Sequence, residues 1–129
     1  MRYAAVLAAG FMLAACAMGE VPDGDDKGGS VLAYAARIAA QDGPVEITGY
    51  CSSACGMWLS YPGACIRLPA TFGFHRVAAD YTGQMQRVYD AHLPSGLRAW
   101  YRANVPGTDI VRLSGAAIIR NGWARECGE

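Results

Sequence analysis

The stretch GYCSSACGMWL, residues 49–59, decides how this chain is read. Two cysteines enclose Ser52, Ser53 and Ala54, and a hydrophobic run follows. Cys-x₃-Cys is not the Cys-x₂-Cys spacing of a thioredoxin-like redox pair. A zinc site needs four suitably spaced ligands, and the only imidazoles are His75 and His92, so no metal is expected. Two readings remain: a disulfide corner, and a nucleophile on a tight turn. Upstream, VEITGY at residues 45–50 is rich in β-branched residues and predicts a strand. Downstream, residues 54–61 predict a helix that Pro62-Gly63 ends. Ser53 therefore stands at a strand-to-helix turn. Its plainest role there is to cap the helix, as Ser52 could one residue earlier. Its chemical role would be attack on an acyl carbon. The Ala54 N–H and the helix N-terminus would then face the developing oxyanion.

Such a serine needs a base within reach. His75 ends a strand predicted over residues 71–74, in FGFHRV. If that strand runs beside the first and parallel to it, both C-terminal ends meet and bring Ser53 and His75 together. The other elements fit this scheme. Residues 30–41, SVLAYAARIAAQ, predict a helix with Val31, Tyr34, Ala35 and Ile38 on one face, stopped by Asp42-Gly43-Pro44. Residues 65–68 predict a short strand before Pro69. Residues 83–93 and 95–104 predict helices split at Pro94, with Leu97, Trp100 and Tyr101 turned inward. Residues 105–109 read as a loop. Residues 114–121 predict a last helix with Gly122 as its C-terminal glycine, and residues 123–127 an extended tail. The order of short elements predicts an α/β fold with mainly parallel short strands flanked by helices.

Composition narrows the setting. The 129 residues suit one domain. Net charge is zero, and no basic stripe supports nucleic-acid binding. Residues 1–15, MRYAAVLAAGFMLAA, carry one charge at Arg2 and then an apolar run, the layout of an export signal that is too short to span a bilayer. LAAC at residues 13–16 resembles a bacterial lipoprotein signal box. That resemblance implies cleavage before Cys16, acylation of Cys16, and a periplasmic face of a bacterial membrane, the outer membrane favoured because Ala17 follows the cysteine. The competing outcome is ordinary cleavage and a soluble periplasmic protein. Residues 16–27 then form an acidic tether, and residues 28–129 the folded domain. Cys51, Cys55, Cys65 and Cys127 remain, an even number in an exported chain. Two disulfides follow, in one of three connectivities, stapling the serine turn to Cys65 and Cys127.

Four segments together resemble the Clp-peptidase/crotonase superfamily, in particular its exported branch with a Cys-x-Ser-Ala-Cys motif. They are GGSV at residues 28–31, GYCSSAC at 49–55, RLPA with FH over 67–75, and LSGAAIIRNG at 113–122. The resemblance spans nearly the whole mature chain and implies a truncated Clp/crotonase-type ββα fold. By that likeness Ser53 is the nucleophile and His75 the general base, and the Gly29 and Ala54 amides form the oxyanion hole. Asp109 is the nearest match to the third, acidic member, about one residue out of place. The one or two strands that precede the Gly-Gly loop in the family are missing, as is the helical arm that locks Clp rings. The implied function is a membrane-anchored envelope serine hydrolase, peptidase-like, acting on a peptide or protein without a cofactor, with a homo-oligomer compatible. The alternative is a catalytically inactive member serving as a binding or assembly lipoprotein. A disulfide-stapled structural lipoprotein with no site is the third reading.

Overall fold

Ser30 opens the first helix, α1 (Val31–Ala40): its hydroxyl accepts from the Ala33 N–H at 3.3 Å. The face expected from the spacing is the one buried, with Val31 and Tyr34 inside and Ala35 and Ile38 packed against the core. The structure, a computed structural model, describes residues 24–128. The signal segment, Cys16 and most of the tether fall outside the described residues.

The order continues β1 (Val45–Ile47), β2 (Tyr50–Ser52), a 3₁₀ helix (Ser53–Ser60), β3 (Ala64–Ile66), β4 (Thr71–Phe74), α2 (Gln84–Ala91), α3 (Ser95–Asn104), β5 (Val111–Ser114) and α4 (Gly115–Arg120). The fold is mixed α/β, with two small sheets. In one, β1 pairs parallel with β3. In the other, β2 pairs parallel with β4, and β4 pairs antiparallel with β5.

The single strand expected over residues 45–50 is thus two strands in two sheets. The chain changes sheet at Thr48-Gly49, where residues 24–25 cross it. The Gly24 N–H donates to Thr48 Oγ1 at 2.8 Å, and the Tyr50 N–H donates to Asp25 Oδ1 at 2.9 Å. A Cβ on Gly49 would stand 2.5 Å from the Gly24 backbone, so only glycine fits this crossing. Residues 24–27 are part of the fold, not tether: Asp26 forms a parallel bridge with Cys51.

The helix expected after Ser53 forms, but as a 3₁₀ helix. Ala54, Cys55, Gly56, Met57, Trp58 and Leu59 are all buried. With no polar face, this segment carries no 3.6-residue pattern to specify an α-helix. Trp58, Phe72, Phe74, Leu97, Tyr101 and Ile118 are fully buried in the core. Each such side chain contributes about 1.5–3 kcal/mol by leaving water.

Both disulfides form, as Cys51–Cys55 and Cys65–Cys127. The serine turn is therefore closed on itself and not stapled to Cys65 or Cys127. The sheet change explains this. Cys51 lies opposite Phe72 in one sheet, and Cys65 lies opposite Glu46 in the other. Cys65 instead ties β3 to the tail, where Glu126 bridges Ile66. Disulfides persist in oxidising compartments outside the reducing cytosol. Among the described residues, no helix is long and apolar enough to cross a membrane.

Candidate active site

The parallel register of β2 and β4 sets Ser52 beside Gly73. Ser53 is the first residue beyond β2, and His75 the first beyond β4. Both line one cavity of about 220 Å³, together with Gly29, Val31, Val77, Ala78 and Tyr89. Ser53 has φ +59°, a left-handed conformation that strains any residue with a Cβ. Such strain collects at functional sites, where the fold over-determines it. The Cys51–Cys55 bridge spans this residue and fixes both ends of the turn. Ser52 is different. It is buried, and its hydroxyl lies 2.9 Å from the position of a Cβ on Gly73, so it packs into the sheet.

Gly28 and Gly29 come up against the turn. Gly28 has φ +85°, and a Cβ there would stand 2.8 Å from Ser53 Cβ and 2.9 Å from the Ala54 nitrogen. Only glycine lets the loop approach so closely. Ala54 lies in the first turn of its helix, so its N–H has no partner within that helix. The Gly29 N–H makes no hydrogen bond among the described residues. Gly29 lines the Ser53 cavity and Ala54 follows Ser53 in the chain, so the two residues with free amides lie at this turn.

Asp26 holds the loop in place. Its Oδ1 accepts from the Gly28 N–H at 2.8 Å and from the Tyr34 hydroxyl at 2.5 Å. Burial, then the Asp26 hydrogen bond and charge, pushes the Tyr34 phenol up to about 12. The sequence reading missed Asp26 because it sits in an acidic, glycine-rich run. Its local signal was an aspartate two residues before a glycine, the pattern of an Asx turn.

The His75 ring has a defined tautomer. Nδ1 lies 2.7 Å from the Arg76 carbonyl oxygen. A carbonyl only accepts, so Nδ1 donates this bond, and in the neutral ring the lone pair that a general base needs stands on Nε2. The surrounding backbone is clasped on both sides. The Tyr101 hydroxyl donates to the His75 carbonyl at 2.8 Å, and Gln86 Nε2 donates to the Tyr101 hydroxyl at 2.9 Å. Gln86 Oε1 accepts from the Val77 N–H at 2.8 Å. The Arg76 guanidinium covers the Tyr101 ring at 4.7 Å and donates from Nε to the Val105 carbonyl at 2.5 Å. Gln86 and Tyr101 had no functional signal in the sequence, since each reads as an ordinary residue of an amphipathic helix.

Asp109 does not join this group. It is exposed in the segment before β5 and makes no hydrogen bond to His75. The Arg76 N–H donates to the Gly107 carbonyl at 2.7 Å, so this segment passes close to the histidine, but no hydrogen bond joins the Asp109 carboxylate to the ring among the described residues. Among the described residues no hydrogen bond joins Ser53 to His75. In an unliganded site such contacts are often loose and tighten only with substrate. Comparison with protein-family models, curated proteins and solved structures finds no match for this chain.

Proposed function

We propose that this chain is a serine hydrolase of the Clp/crotonase type, peptidase-like, working at the bacterial envelope from a lipid anchor on Cys16. One observation carries the reading: Ser53, in a left-handed conformation, shares a small cavity with a histidine whose Nδ1 is held by a backbone carbonyl. Ser53 Oγ attacks the acyl carbon of a peptide bond and passes its proton to His75 Nε2. The carbonyl oxygen becomes an oxyanion, and the Ala54 and Gly29 amides stabilise it. His75 returns the proton to the leaving amine as the carbon–nitrogen bond breaks. Water, activated by the same histidine, then releases the acyl group from Ser53. The Arg76 carbonyl takes the orienting part that an acid plays in a full triad. Val31, Val77 and Ala78 give the cavity apolar walls that suit a short apolar side chain.

A second reading is a catalytically silent member of the same fold that binds or assembles partners in the envelope. The exposure of Asp109 favours it, because a serine–histidine pair without its acid loses orders of magnitude in rate. Labelling with a fluorophosphonate probe separates the two. A covalent adduct on Ser53, shown by peptide mapping, supports the hydrolase. An intact, folded protein that takes no label supports the silent module.

A further inference from the structure

A second concavity shares no residue with the Ser53 cavity. It is a groove of about 630 Å³ between residues 59–65, the start of α3, and the tail at residues 122–125. Its size falls in the range of small-molecule sites, roughly 300–1,000 Å³. Tyr61, Leu93, Pro94 and Trp123 give it apolar walls, and its charged members are Arg98 and Arg125, with no carboxylate in the lining. The tail is made of turns and bends, not the extended segment expected over residues 123–127, with Glu126 in an isolated bridge to Ile66; Glu126 makes no ion pair with Arg125 among the described residues.

Neither arginine in this groove has an acidic partner among the described residues. Arg98 Nε is buried without a hydrogen-bond partner, although Nη2 of the same group donates to the Leu93 carbonyl at 2.9 Å. A buried donor left unpaired is destabilising, the more so when it belongs to a charged group. Arg125 is exposed and makes no ion pair among the described residues. The first turn of α3 has no side-chain cap, since Pro94 stands at that position, so its amides add to the donor side. Trp123 lies on this turn, where a Cβ at Gly96 would collide with its Nε1. Every charged group here donates, and none accepts.

We propose that this groove binds an organic carboxylate with an apolar body. The exposed guanidinium of Arg125 offers a carboxylate a two-point fork, Arg98 adds a second positive charge, and the aromatic and proline walls fit the body. A peptide C-terminus and a free fatty acid both present this chemistry. The proposal does not depend on catalysis at Ser53.

The test follows the Trp123 indole and Arg98 Nε signals by ¹⁵N NMR while N-acetyl-leucine is added to the purified protein. N-acetyl-leucinamide is the uncharged control, octanoate the fatty-acid arm, and hexyl phosphate the phosphate arm. Saturable shifts with N-acetyl-leucine or octanoate, and none with the amide, support the proposal. The tighter of the two carboxylates then assigns the source. Arg125→Gln, at an exposed position, should weaken carboxylate binding about tenfold, and added salt should weaken it further. Arg98→Gln should weaken it at least as much, and if that variant does not fold, Arg125→Gln still decides. Equal binding of the amide, tighter binding of hexyl phosphate, no saturable shift, or undiminished affinity in Arg125→Gln would overturn it.

Discussion

The carbonyl oxygen of Arg76 lies 2.7 Å from Nδ1 of His75, where a triad would place a carboxylate. The histidine is therefore oriented by its own neighbour's backbone, and that backbone is held by Tyr101 and Gln86. If this clasp does the orienting, the carboxylate of Asp109 is dispensable. Asp109→Asn should leave the rate of fluorophosphonate labelling within about twofold of wild type. Tyr101→Phe keeps the ring but loses both hydrogen bonds of the hydroxyl, to the His75 carbonyl and from Gln86. The bond that holds the histidine backbone is worth about 1 kcal/mol, so labelling should slow by about fivefold or more. Gln86→Ala should slow it as much or more, while Gln86→Glu, which keeps an acceptor for the Val77 N–H, should recover part of the loss. A tenfold or greater loss in Asp109→Asn, in a folded protein, would return the acid to the mechanism.

Ser53 invites a test in which stability and function move in opposite directions. Its φ of +59° costs a residue with a Cβ about 1–2 kcal/mol, and glycine removes that cost. Ser53→Gly should therefore raise the urea midpoint while abolishing labelling. Ser53→Ala should abolish labelling and leave stability near wild type, since alanine keeps the strain. Ser52→Ala should label normally, because that hydroxyl packs against Gly73. Labelling that survives in Ser53→Gly would identify Ser53 as a turn residue only.

The two disulfides should separate by effect. In the chain-entropy account, the 62-residue separation of Cys65 and Cys127 predicts about 4 kcal/mol, and the four-residue separation of Cys51 and Cys55 about 2 kcal/mol. Replacing Cys65 and Cys127 by serine should lower the unfolding midpoint more. Replacing Cys51 and Cys55 should cost less stability but slow labelling, because that bridge encloses Ser53. Equal losses of labelling in the two pairs would mean that the turn needs no local brace.

What the sequence made legible was the part with local punctuation. Ser30 caps α1 and its apolar face recurs at helical spacing, so that helix is readable. Pro94 marks the start of α3, which spans Ser95–Asn104 as expected. The meeting of Ser53 and His75 at one cavity follows from placing each at a strand end. Other features depend on contacts distant in sequence. The break at Gly49 exists because residues 24–25 cross there. The cysteine pairing depends on which sheet each strand joins, and spacing carries no information on that. β5 was missed because Val111 to Ser114 follow a loop directly and lead straight into a helix, so the strand has no turn signal of its own at its end. The clasp of Gln86 and Tyr101 joins two helices through side chains that any amphipathic helix offers.

The LAAC motif at residues 13–16 makes a separate prediction. Cys16→Ser should release the protein from membranes into the soluble fraction and abolish acyl labelling. The fold should be unaffected, since both disulfides lie elsewhere. Membrane retention unchanged in that variant would remove the lipid anchor from the proposal.

Tyr34 gives the alkaline limit of the Gly28 loop. Its hydroxyl donates to Asp26 Oδ1, the same oxygen that accepts from the Gly28 N–H. Burial first, then the Asp26 hydrogen bond and charge, raises its pKa to about 12 from an ordinary value of 10.0. A pKa raised on folding adds stability that is whole below the unfolded value and is lost as pH rises through the folded one. The contribution of Tyr34 should therefore be full below pH 10 and decline between pH 10 and 12. Once ionised, the phenolate faces the Asp26 carboxylate, and the brace on the Gly28–Gly29 loop is lost. Tyr89 and Tyr101 are also pushed up by burial, so the measurement is a difference: absorbance at 295 nm in wild type minus Tyr34→Phe. That difference should show one ionisation near pH 12. In Asp26→Asn it should move down but stay above 10, because burial is the larger cause. Tyr34→Phe should be less stable than wild type at pH 8, and the gap should close as pH rises from 10 to 12. A gap that stays constant over that range would show that the phenol is not what holds Asp26 to the loop.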